Sequence, residues 1–102
     1  MKFGFHHIAV QTRDLAQAVR FYRDALGFTL LKEETSPKGR KIVWFDAGCA
    51  RIELYSGKPE QPLNEQWDKD GVGPLSIGFI VEDLQRAIER VKTFGVRIIR
   101  EP

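Results

Sequence analysis

From Phe5 to Thr12 apolar and polar residues alternate, placing Ile8 and Val10 on one side and His7, Ala9 and Gln11 on the other. That is the period of a strand with one buried face. The period then lengthens. Leu15, Val19, Tyr22 and Leu26 recur at helical spacing, with Gln17, Arg20, Arg23 and Asp24 opposite them. Asp14 stands where an N-cap belongs, Gln17 holds the capping-box position, and Gly27 is placed to end the helix. Phe28 to Glu33 reads as a second strand, Ser36-Pro37-Lys38-Gly39 as a turn, and Lys41 to Ala47 as a third strand. After a reversal at Ala47-Gly48, a fourth run alternates, with Arg51, Glu53 and Tyr55 opposite Ile52 and Leu54. Residues 1–57 thus predict a βαβββ unit.

Residues 58–73 are mostly polar and rich in proline and glycine, the composition of a linker loop. Trp67 is the odd member of that segment and is expected to be tacked onto the core or a partner. From 74 the opening pattern restarts: a strand to Val81, Asp83 as N-cap, a helical face of Leu84, Ala87, Ile88 and Val91, a stop at Gly95, and a new strand over Val96–Ile99. With Ser76 laid on His7, Ile77 falls on Ile8, Asp83 on Asp14, Leu84 on Leu15 and Ala87 on Ala18, while Gly95 falls one residue short of Gly27. Duplication of one strand–helix–strand unit explains this spacing. Residues 74–102 are therefore read as a second, truncated βαβ module without its last two strands. The fold class is α+β.

A chain of 102 residues, 42% hydrophobic and 29% charged, is in the range of ordinary globular domains. It buries roughly two thirds of its unfolded surface, so its core is modest. The net charge of +2 is spread along the chain, which argues against nucleic acid or an anionic membrane as partner. Cys49 has no second cysteine to pair with and is expected to pack as a small residue. No apolar run reaches the ~20 residues of a membrane span, and the first residues do not resemble a signal peptide. A cytoplasmic address is the expectation.

The run HIAVQTRDLAQAVRFYRDALGF resembles the opening of the vicinal oxygen chelate superfamily, which includes glyoxalase I, extradiol dioxygenases, and fosfomycin- and bleomycin-resistance proteins. RIELYSG resembles the fourth strand of the same module, and GVGPLSIGFIVEDL the start of the second. The resemblance implies glyoxalase-like curled mixed sheets, helices on the outer face, and a ligand cavity between sheets. It also implies a metal position at His7 and Glu53, with Ser76 in the place of the second module's histidine.

The alternation agrees for the first module, since His7 and Glu53 both project away from the aliphatic face. One imidazole and one carboxylate suit Zn, Fe, Mn or Ni. A catalytic zinc site needs three protein ligands, and a serine hydroxyl is a poor one, so the site is incomplete in a single chain. His6 is expected to point away from His7. Glu53 is also the candidate catalytic base, and Gln11, Trp44, Tyr55 and Ser76 are candidate ligand-binding residues. Alternation lets only one of Trp44 and Phe45 face that side.

Two functions follow. The first is metal-assisted chemistry on a small bacterial metabolite, of lyase or isomerase, dioxygenase or transferase type. The second is a metal-free binder of small, antibiotic-type molecules; a non-catalytic remnant is a third. An incomplete second module leaves an open sheet edge, which predicts a homodimer or higher homo-oligomer.

Overall fold

In the computed structural model, residues 1–57 and 76–101 are described. The linker 58–73 and its Trp67 lie outside the described residues. The chain divides into two units, Met1–Leu63 and Asn64–Pro102.

In the first unit, β1 (His7–Thr12) leads into α1 (Leu15–Arg20), which continues as one π-helical stretch over Phe21–Ala25. Strands β2 (Thr29–Thr35), β3 (Lys41–Asp46) and β4 (Arg51–Ser56) follow. The sheet order is β1-β4-β3-β2, with β1 parallel to β4 and the other pairs antiparallel. The first unit is thus a mixed, open four-stranded sheet with one helical segment, and the second unit contributes a helix of its own. It is the α+β class that the hydrophobic pattern predicts.

The helix begins and ends for local reasons. Asp14 Oδ1 accepts a hydrogen bond from the Gln17 amide at 3.0 Å, satisfying a donor that the first turn would leave open. At the other end Gly27 takes φ 76°, and the Phe28 amide reaches back to the Tyr22 carbonyl at 3.0 Å. Asp14→Ala is expected to lower stability by about 1 kcal/mol, read as a shifted urea midpoint.

One face of the sheet carries the core. Val43, Phe45, Ile52 and Leu54 are buried together, and Ile8, Val10, Leu15, Ala18, Val19 and Tyr22 pack against them. This leaves the side chains of alternate positions for the opposite face. The ladder between β2 and β3 shifts between Leu30 and Lys32, so Lys32 pairs with Trp44 where an unbroken ladder would put Leu31. Such a bulge re-aims everything beyond it. Lys32 and Glu34 are thereby placed on the face of Trp44.

In the second unit, α2 (Leu84–Lys92) is capped as expected, the Arg86 amide donating to Asp83 Oδ1 at 3.1 Å. Gly95 takes φ 78° just beyond its end. The strands expected up to Val81 and over Val96–Ile99 are not strands here: residues 76–81 and 96–99 have no ladder. A strand exists by pairing, and among the described residues neither segment has a partner. Ile77, Phe79, Ile80, Val81, Leu84 and Ile99 remain exposed.

Candidate functional site

Glu53 is the buried charged residue among those described, at 6% exposure. Its neighbours in register are Ala9 on β1 and Trp44 on β3. Because Ala9 offers only a methyl group, the side chain that reaches the carboxylate comes from two residues earlier on β1. His7 Nε2 lies 3.7 Å from Glu53 Oε1. That separation is too long for an N–H···O hydrogen bond, so the two atoms face each other across a gap.

Trp44 walls this pair. Its ring stands edge-on to that of His7 at 5.0 Å, and its Nε1–H donates to Glu34 Oε1 at 2.9 Å. The Lys32 ammonium lies 5.4 Å from the Trp44 ring centroid and 3.7 Å from a Glu34 carboxylate oxygen. Phe45 is wholly buried on the other face, which settles which of the two aromatics belongs here.

Towards the far end of the strands, Gln11 Oε1 accepts from Arg40 Nη2 at 2.7 Å. The Arg40 guanidinium also donates to the Ser56 carbonyl at 3.0 and 3.1 Å and lies over the Tyr55 ring at 4.6 Å. Burial raises the Tyr55 pKa above the usual tyrosine value, and the Glu53 charge and a hydrogen bond with that carboxylate push it the same way, against the opposing charge of Arg40. These influences favour the neutral Tyr55 hydroxyl beside the Glu53 carboxylate.

Of the expected site residues, the structure brings His7, Glu53 and Trp44 together, with Tyr55 joined to Glu53 and Gln11 joined to Arg40. Ser76 belongs to the other unit, where it is exposed. Two expectations are corrected. His6 does not turn from His7: their Nδ1 atoms are 2.7 Å apart. His6 precedes β1, so strand alternation does not bind its side chain. Cys49 is exposed and does not pack, because it sits in the reversal closed by the Ala47 amide on the Ala50 carbonyl at 2.9 Å.

Lys32, Glu34 and Arg40 were not legible as neighbours of this site. The bulge that turns the first two has no mark in the hydrophobic pattern. Arg40 lies in a turn, where no period says which way it faces.

Among the described residues no group of three or more His, Cys, Asp or Glu could hold a metal ion. The donor set is chemically sound as part of one. His7 Nε2 and Glu53 Oε1, one neutral nitrogen and one anionic oxygen donor facing each other, are the atoms that would hold a divalent cation. The pair fits as half of a site.

Residues 4–102 match the model of the Glyoxalase/Bleomycin resistance protein/Dioxygenase superfamily. The chain is 27% identical over 105 aligned residues to a probable lactoylglutathione lyase of Synechocystis, covering 94% of this chain and 73% of that protein. It is 29% identical to 4-hydroxyphenylpyruvate dioxygenase of Danio rerio, covering 97% of this chain but only 26% of the dioxygenase. Among solved structures it is similar to the fosfomycin resistance protein FosX of Listeria monocytogenes complexed with Mn(II) and sulfate. There the TM-score is 0.66 at 18% identity, over 95% of this chain and 75% of FosX.

Proposed function

The chain belongs to the Glyoxalase/Bleomycin resistance protein/Dioxygenase superfamily, and from that footing we propose that His7 and Glu53 form half of a divalent-cation site acting on a small molecule. The observation that carries this reading is the 3.7 Å gap between His7 Nε2 and a buried carboxylate oxygen, too wide for a hydrogen bond. A bound Zn, Fe, Mn or Ni ion would supply Lewis acidity to a substrate oxygen. The Mn(II) in FosX is consistent with that class of ion.

The chain's own residues have separable tasks. His7 and Glu53 hold the cation, and the second Glu53 oxygen can take a proton from the substrate as a base. Trp44 excludes water from one side of the pair, and Tyr55 fixes the carboxylate through its hydrogen bond. Gln11 and Arg40 offer polar contacts to a ligand on the same strands.

Two donors are too few for a catalytic site. His7 lies on β1, an edge strand whose one ladder partner among the described residues is β4. An edge can accept a further strand with further donors. A homodimer or higher homo-oligomer is the assembly proposed to bring them. A cytoplasmic address belongs to the same reading; among the described residues no helix is long and apolar enough to cross a membrane.

The test is metal content by mass spectrometry, on tag-free protein whose oligomeric state is fixed by light scattering. Near-stoichiometric metal in the wild type, lost in His7→Ala, is the expected result. Metal-free wild-type oligomer would sink it and shift the weight to metal-free binding of aromatic compounds on the surface of Trp44 and Tyr55.

A further inference from the structure

His6 touches the candidate ligand His7 from the side that a cation would not occupy. The two Nδ1 atoms are 2.7 Å apart and the rings meet at 84° with centroids 5.0 Å apart. A contact that short between two imidazole nitrogens needs one proton between them, so that one ring donates and the other accepts. In a neutral imidazole a proton on Nδ1 leaves the lone pair on Nε2, and the reverse also holds. The Glu53 carboxylate, 3.7 Å from His7 Nε2, is too distant to hold a proton there by a hydrogen bond. The only close partner of either His7 ring nitrogen among the described residues is His6.

We infer that His6 is a positioning residue: it accepts the Nδ1 proton of His7 and thereby leaves the His7 Nε2 lone pair bare towards Glu53. This rests on the reading of His7 and Glu53 as a metal pair, because a bare Nε2 is what a divalent cation requires. His6 is suited to the task by its anchorage. Its carbonyl accepts from the Arg51 amide at 2.9 Å, tying it to β4 one residue ahead of β1, and its ring lies 6.3 Å from that of Trp44. It is not a third ligand to the same ion, since it meets the nitrogen opposite Nε2. Ring-nitrogen partners of this kind orient metal-binding histidines and contribute 10- to 100-fold to affinity as a rough rule.

The test uses the full chain with His6→Phe, which removes the acceptor, and His6→Gln, whose amide oxygen restores it. His6 is exposed, so neither substitution disturbs the core. Nitrogen-15 NMR of the metal-free protein reads the His7 tautomer directly. The expected result is an Nδ1–H tautomer in the wild type and His6→Gln, moving to Nε2–H in His6→Phe. An Nε2–H tautomer in the wild type, or no change in His6→Phe, overturns the role whether or not metal binds. Calorimetric titration with Co(II) alone should then show His6→Phe weakened about 10- to 100-fold and His6→Gln within about threefold of wild type. Equal affinity in His6→Phe and wild type also overturns the role. Should the wild type take up no Co(II), the metal reading fails on its own, and the tautomer result alone decides what His6 does.

Discussion

Phe45→Ala is expected to cost about 3–5 kcal/mol, the largest stability loss of any single substitution in the first unit. Phe45 is 0% exposed, lies in one cluster with Val43, Ile52 and Leu54, and its ring is 6.1 Å from that of Tyr22 on the helical segment. It therefore joins the sheet to the helix that covers it. Truncation leaves a cavity between two layers that are each held in place by backbone bonding, so neither can collapse to fill it. A domain of ordinary stability has about 5–15 kcal/mol in all. The variant should thus unfold at a urea concentration well below the start of the wild-type transition. Trp44→Ala is the matched control: one residue earlier on the same strand, it faces the other side and should cost distinctly less. Similar losses for the two would mean that the alternation along β3 is not what divides core from site.

That alternation is the part of the molecule most fully written in the sequence. Ile8 and Val10 against His7 and Gln11, and Ile52 and Leu54 against Glu53 and Tyr55, follow from the pleat alone, and the structure places them so. Both helix caps are equally local and equally legible, because an aspartate side chain and the amide three residues later need no tertiary information. Legibility fails where the pleat is broken or absent. Continued from Leu30, a period of two would send Lys32 and Glu34 to the core side; the bulge at Leu31 sends them to Trp44 instead. His6 fails for a related reason, since it stands just outside the strand whose rule was applied to it. In the second unit the segments around 76–81 and 96–99 have strand-like composition, but composition cannot supply the ladder partner that makes a strand.

Glu53→Gln is expected to separate stability from function in opposite directions. The side chain keeps its shape and, through its amide oxygen, its acceptor for the Tyr55 hydroxyl, but loses the negative charge that sits 6% exposed beneath Trp44. The buried charge is met by the Tyr55 hydroxyl but by no cation in hydrogen-bond contact, since the facing imidazole is 3.7 Å away. Removing it should raise the stability of the metal-free protein by about 1 kcal/mol, read from urea unfolding in the presence of a chelator. A neutral amide is a much weaker ligand than a carboxylate for a divalent ion. The rise in melting temperature that Co(II) or Mn(II) gives the wild type, by binding the folded state alone, should therefore vanish in the variant. The two readings need each other. Lost metal stabilisation without a gain in the metal-free protein would mean that the carboxylate is well satisfied by Tyr55 and is no more than one ligand among several. A gain in stability with metal stabilisation unchanged would move the cation away from Glu53 altogether. Both changes together would identify a carboxylate kept in an apolar place at the expense of the fold, which is the condition expected of a group held ready for a cation.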